Sequence, residues 1–334
     1  MTNRSNYPER TVDLKTITRP IKRELQTFQS YYKKSMRSRV ALVDIVARYV
    51  AKQKGKRIRP ILVLLSASVT EKINERTYRA AVLVEFLHTA TLIHDDVVDD
   101  ADTRRGLASV NAIWKNKVSV LMGDYLLARG LLLSLDHDDF QFLKIVSTAV
   151  KRMSEGEILQ IQKSRQLDID EKTYFKIISD KTASLVSTCC ELGAASVTES
   201  EEIRHRMREF GENIGIAFQI RDDLLDYIGR RSITGKPTGL DMTEKKLTLP
   251  LIHSLHNAPR SEARNMIRTI KNGKSKKELK MVVQFAQDYG GIEYAVGQAR
   301  RYARLAAEQL ESLPESPGKQ ALRDFVEFVV SRTK

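Results

Sequence analysis

The stretch GGIEYAVGQARRYARLAAEQLESLP, residues 290–314, decides the fold. Ile292, Val296, Ala299, Ala303, Ala306, Leu310 and Leu313 recur at intervals of three and four. On a helix these positions form one apolar stripe, with arginine and glutamate opposite. Gly290-Gly291 breaks the chain before the stripe and Pro314 ends it. The same spacing runs through 30–53, 60–70, 76–100, 107–133, 140–166, 171–196, 200–228, 247–256, 260–271 and 277–288. Alternating strand patterns and Asn-Gly hairpin signals are absent, as are fixed-period repeats and low-complexity tracts. The expectation is an all-α protein: an N-terminal extension over 1–29 and one large helical domain over 30–334. The stretch 227–250 holds Gly229, Gly235 and Gly239 with Pro237 and Pro250. It reads as a loop between helices of one domain.

The chain has 334 residues, 42% of them apolar, which is enough for a sizeable core. Its net charge of +14 favours anionic partners: nucleic acid, acidic lipid or a phosphorylated substrate. Zinc-finger spacing and basic runs interleaved with aromatics are missing, so nucleic acid is set aside. The two cysteines, Cys189 and Cys190, are helix neighbours that point apart. A disulfide-free chain fits a reducing cytoplasm. The polar N-terminal segment MTNRSNYPERTVDLKTITRPIKREL is unlike a secretory signal, and no uninterrupted apolar run reaches membrane-spanning length. A soluble, cytoplasmic protein is expected, with contact to a membrane surface left open.

Chemistry concentrates in LIHDDVVDDADTRRG, residues 92–106, where five aspartates fall within eight positions. Carboxylates this close repel one another unless a cation sits among them. Asp95 and Asp99 share one helix face, with Asp96 beside the first. The pattern Asp-Asp-x-x-Asp returns 127 residues later as Asp222, Asp223 and Asp226. Either cluster alone reads as well as a solvated helix face. Both, however, end very apolar segments, where the helix dipole disfavours anions, and neither has a lysine four residues on. An all-oxygen ligand set suits Mg²⁺, which keeps waters and bridges to substrate phosphates. Groups that complement phosphate are Lys56, Arg57 and Arg59 in GKRIRP, Arg104 and Arg105, Lys181 with Thr182, and Lys236, Lys245 and Lys246. Singly, each is an ordinary surface charge. Lys181 is the hardest to dismiss, because it interrupts an apolar helix. His94-Asp95 also raises a metal-dependent phosphohydrolase, but six histidines offer no further histidine–aspartate set.

GKRIRP, FLHTATLIHDDVVDDADTRRG, GEILQIQ, DKTASL, FQIRDDLLDYIG and GKPTGLDMTEKKLTLPL occur here in the order found in one family. Over about residues 30–330 the chain resembles the trans-isoprenyl (polyprenyl) diphosphate synthases. The resemblance implies a helical bundle around a central cavity and a prenyltransferase joining an allylic diphosphate to isopentenyl diphosphate. It implies that Asp95, Asp96, Asp99, Asp222, Asp223 and Asp226 hold three Mg²⁺ ions. Arg104, Lys181, Lys236 and Lys246 match groups that grip the allylic diphosphate. Lys56, Arg59, His88 and Arg105 match the isopentenyl diphosphate site, and Thr182 and Gln219 lie near the forming cation. His88 could equally be a satisfied core histidine. The family is homodimeric, and 107–133 is a candidate contact surface.

Residues one turn before the first cluster lie about 6–7 Å beneath it. Here they are Ala90 and Thr91. Family members that stop at fifteen carbons carry an aromatic residue there, so the small pair implies a C30–C40 product. Phe86, Leu87, Met122, Leu126 and Leu159 are alternative floors. A C20 geranylgeranyl diphosphate synthase is the nearest rival. A terpene cyclase would not need Lys56 and Arg59, and a non-catalytic synthase subunit would lack one acidic cluster.

Overall fold

A computed structural model describes residues 12–53, 55–166, 169–228, 247–272 and 275–331. The chain is helical nearly throughout. In order come α1 (Leu14–Thr18), α2 (Lys22–Ser35), α3 (Ala41–Lys52), α4 (Ile58–Thr70), α5 (Glu75–Val98), α6 (Val110–Leu135), α7 (Phe140–Gln166) and α8 (Glu171–Ile178). After a π-helical turn (Ser179–Ala183) come α9 (Ser184–Ala195), α10 (Glu201–Ile228), α11 (Leu249–Asn257), α12 (Arg260–Asn272), α13 (Lys276–Asp288), α14 (Gly291–Leu310) and α15 (Pro317–Ser331).

α4 is apolar on every side, which fits a helix surrounded by others. It packs against α5, α9 and α15, with Leu62, Leu64 and Leu65 fully buried. Each such side chain contributes about 1.5–3 kcal/mol by leaving water. α5 lies between α4 and α6, and α10 between α9 and α14. Side-chain caps set several starts: Asn74 and Thr77 form a capping box at α5, Ser109 caps α6 and Asp170 caps α8. Residues 14–29 pack into the body, where Ile17, Ile21 and Phe28 are buried.

The helical plan read from the spacing is present, with four differences. The helix expected over 30–53 is two. α2 ends before Met36, and the Ser38 hydroxyl accepts from the Val40 amide at 3.1 Å, offering the backbone a non-helical alternative. A small hairpin pairs Thr103–Arg104 with Leu107–Ala108 ahead of α6. Its turn residues Arg105 and Gly106 both have positive φ, 52° and 78°. Arg-Gly thus does what Asn-Gly does elsewhere. The helix expected over 171–196 is broken by the π turn. α1 and α15 have no counterpart in the sequence reading. One expectation about apolarity also changes: α6, at 26 residues, contains an 18-residue window of mean hydropathy 1.5, long and apolar enough to cross a membrane. A third of that window is buried against the fold; Ser119, Met122, Gly123 and Leu126 lie inward.

Candidate active site

The first acidic cluster ends α5, with Asp99 as the last half-helical residue. Its members are not equivalent. Asp95 and Asp99 are exposed, whereas Asp96 is 2% exposed. Asp96 accepts from Arg104, whose Nε donates at 2.7 Å and whose Nη2 donates to the same oxygen. The hairpin turn delivers that guanidinium. Asp95 sits near Glu157 of α7 and Lys181 of the π turn. Burial first, then Glu157, raises its carboxyl above the ordinary carboxylate range; Lys181 opposes this and Asp99 adds to it.

The second cluster occupies the last turns of α10 and repeats the division. Asp222 is exposed and Asp226 partly so, while Asp223 is buried. Asp223 accepts from the Tyr174 hydroxyl at 2.6 Å and from Gln219 Nε2 at 2.7 Å. Gln219 Oε1 in turn accepts from the Thr182 hydroxyl at 2.9 Å. Lys181, next to Thr182, pairs with Glu157 at 2.5 Å and donates to Gln160 at 3.3 Å. A cavity of ≈ 110 Å³ opens here, with Gln160, Tyr174, Lys181, Thr182, Gln219 and Asp223 in its wall. The π turn is therefore bonded to the second acidic helix end, through Thr182 and Gln219 to Asp223, and Lys181 is close enough to the first for its charge to lower the Asp95 carboxyl.

A third group lies between the start of α4 and the middle of α5. Arg59 Nη1 donates to His88 Nε2 at 2.8 Å. That bond requires the unprotonated nitrogen of a neutral ring. Burial, with Arg59, Arg105 and Arg104 nearby, pushes the His88 pKa down to about 2. Glu85, one turn earlier on α5, is buried beside Arg59, Arg57 and Arg105; burial raises its carboxyl and the arginines pull it back. Arg57, Glu85, Asp96, Arg104 and Arg105 share a second small cavity. Lys56 is exposed next to this group. Lys236 and Lys246 lie outside the described residues.

Spacing pointed to the aspartates and most of the basic groups. Glu157, Gln160, Tyr174 and Glu85 were not singled out as site residues; only GEILQIQ, which contains the first two, was noted. His94 is a local hydrogen-bonding residue: its Nε2 lies 3.2 Å from the Val120 carbonyl oxygen and packs against Gly123. Ala90, Phe86, Leu87, Met122 and Leu126 are buried, and Leu159 and Thr91 partly so. None of them lines the ≈ 110 Å³ cavity.

The donor chemistry suits a hard divalent cation. Asp95, Asp99 and Glu157 crowd their charges, and every nearby acidic ligand is oxygen. Among the described residues no three acidic, histidine or cysteine side chains converge into a ready cage. An ion that keeps its waters and shares a diphosphate needs none.

Comparison with known proteins agrees with this geometry. The polyprenyl synthetase family model matches residues 40–286. An all-trans-nonaprenyl-diphosphate synthase (geranyl-diphosphate specific) of Rhodobacter capsulatus is 38% identical over 317 residues, covering 95% of this chain and 97% of the relative. The octaprenyl diphosphate synthase of Escherichia coli K12 is 35% identical, covering 90% and 93%. A crystal structure of a polyprenyl synthase from Caulobacter crescentus CB15, complexed with calcium and isoprenyl diphosphate, superposes with a TM-score of 0.88 at 32% identity, over 98% of this chain and all of that one. The family match over residues 40–286, with relatives 38% and 35% identical over nearly the whole chain, places this chain in the polyprenyl synthetase family, as a prenyltransferase.

Proposed function

We propose that the chain condenses an allylic diphosphate with isopentenyl diphosphate, head to tail, and releases pyrophosphate, with a product of C30–C40. The observation that carries this reading is the cavity whose wall holds Lys181, Thr182, Gln219 and Asp223, the last three joined by hydrogen bonds, with the charge of Lys181 also felt by Asp95 at the first acidic end. The relatives named for eight- and nine-unit chains support a long product.

In the reaction the allylic C–O bond breaks and its electron pair leaves with pyrophosphate. The π electrons of isopentenyl diphosphate form the new C–C bond. A proton is then lost to the departing pyrophosphate, since no protein base stands in the cavity wall in a role of its own. The outward carboxylates of the two clusters, Asp95, Asp99, Asp222 and Asp226, would hold Mg²⁺, which would supply charge neutralisation to the leaving group. Asp96 and Asp223 serve differently: they orient Arg104 and Gln219. Arg104 and Lys181 offer cations to the allylic diphosphate, and Lys236 and Lys246 are assigned the same task. Arg59, Arg105 and Lys56 offer cations to isopentenyl diphosphate, and neutral His88 fixes the Arg59 fork. The Thr182 hydroxyl and Gln219 present oxygen dipoles towards the developing allylic cation. Apolar wall residues such as Ile177 and Ile178 keep water from it.

A second copy of the chain is assigned to α6, whose Val120, Leu121, Leu132 and Leu135 stand exposed, Leu121 at 60%. Two buried free thiols support a cytoplasmic setting. A greasy product supports peripheral membrane contact at release. The direct test incubates purified protein with Mg²⁺, farnesyl diphosphate and isopentenyl diphosphate and sizes the products. Chains of 30–40 carbons are expected; a C20 end product or no elongation overturns the reading. Ala90→Tyr should shorten the product, and an unchanged length would mean that the growing chain does not reach Ala90.

A further inference from the structure

Lys181 and Thr182 stand on a π turn, and a π turn is held only by what surrounds it. One residue too many has been taken into the helix, so regular backbone pairing is disturbed. Two glycines let neighbouring helices press in. A Cβ on Gly156 of α7 would lie 2.9 Å from the Lys181 amide nitrogen, and one on Gly215 of α10 would lie 2.7 Å from Ala183 Cα. The Ser184 hydroxyl donates to the Asp180 carbonyl at 2.6 Å.

A charged cluster closes the arrangement from the side away from the cavity. Arg152 of α7 donates through Nε to Asp180 Oδ1 at 2.9 Å and through Nη2 to the Ser179 hydroxyl at 2.8 Å. The same guanidinium holds both oxygens of Glu212 on α10, at 2.7 and 3.1 Å. Ser179 also donates to Glu212 at 2.5 Å, and Lys176 to Asp180 Oδ2 at 2.8 Å. Asp180 is 7% exposed. Arg152, Ser179, Asp180 and Glu212 are all absent from the cavity wall. A guanidinium that forks onto two carboxylates and a hydroxyl fixes position and plane together, as an ammonium cannot.

We propose that Arg152, with Asp180 and Glu212, is a positioning clamp that sets the π turn so that Lys181 and Thr182 face the reacting diphosphate. The proposal rests on the roles assigned above to those two residues. The clamp acts through them and not on substrate. Misplacing a catalytic group by about 1 Å costs up to about 10²-fold in rate. Arg152→Met should therefore lower kcat by about 10- to 100-fold. The KM for isopentenyl diphosphate should stay within about twofold, because Arg59 and His88 stand on α4 and α5.

The deciding measurement is a cycle. In a Lys181→Ala/Thr182→Ala background, Arg152→Met should cost less than about twofold, because the groups it positions are gone. Arg152→Lys, which keeps charge and loses the fork, should fall between wild type and Arg152→Met. It replaces Arg152→Met in the cycle if that variant melts below the assay temperature. Wild-type kcat in the clamp variant, or losses that multiply in the cycle, overturn the clamp. Wild-type turnover in Lys181→Ala/Thr182→Ala overturns instead the reading on which it rests.

Discussion

The two acidic helix ends share a motif and differ in what holds their middle carboxylate. At the end of α5, Asp96 is bonded to a guanidinium eight residues later, on the first strand of a tight hairpin. Near the end of α10, Asp223 is bonded to a phenol 49 residues away and to an amide on its own helix. One end is an ion pair built locally. The other draws on a phenol brought by the tertiary fold and an amide that continues to Thr182. In both, burial separates the middle aspartate from its neighbours, so a sixfold repeat of one residue type divides into outward groups and inward ties. The difference lies in consequence: disturbing the first tie removes a charged donor from a buried carboxylate, whereas disturbing the second removes an uncharged one and frees an amide to shift.

The sharpest way to break this comparison is to remove an outward member from each end. Asp95→Ala and Asp222→Ala should each lower turnover by about 10³-fold or more at saturating Mg²⁺. Full activity in either would mean that the end does not hold metal. Next is Arg104→Met, which strands the Asp96 carboxylate in the interior. An unpaired buried charge costs about 3 kcal/mol, read as a lower urea midpoint at constant slope. A loss no larger than for an exposed arginine would show that Asp96 is not tied as described. Tyr174→Phe keeps the ring and removes a donor from Asp223, for a smaller loss of about 2 kcal/mol. If it matches Arg104→Met, the two ties are equivalent.

The smallest effect at neutral pH comes from His88, beside the first end. Its folded pKa of about 2 lies below the ordinary value of 6.5, so the unfolded chain binds the proton more readily. Stability from this group is therefore complete above pH 6.5 and is lost as pH falls towards the folded value. The slope approaches about 1.4 kcal/mol per pH unit in that interval. His88→Gln should flatten the stability curve between about pH 4 and 6, measured by chemical denaturation at stepped pH. An unchanged slope would mean that another group carries the acid sensitivity.

How much of this was legible in sequence follows from how local each feature is. Helical periodicity is local, so the all-α body could be read from stripes such as Ile292 to Leu313. The aspartate ends could be read because their spacing repeats. The hairpin could not, since Arg105 takes a positive φ that arginine seldom adopts and nothing in its chemistry announces it. The partners of Asp223 and Asp95, Tyr174 and Glu157, come from helices elsewhere in the chain, and single-chain spacing carries no record of such meetings. The break between α8 and α9 is also silent, because a π turn uses residues that suit an ordinary helix. α15 is legible in principle, since Leu322, Phe325 and Val329 recur at helical spacing and are buried together.

The π turn between Ile178 and Ser184 has one more implication. It is in effect an added residue spliced into a continuous rod. Deleting a single position there would let α8 and α9 merge, and everything upstream would swing by about 100° relative to everything downstream. With Ala183 the residue removed, the lysine–threonine pair would rotate away from α10. A one-codon change in chain length, without loss of either of those side chains, could thus switch off the chemistry while the bundle still folds.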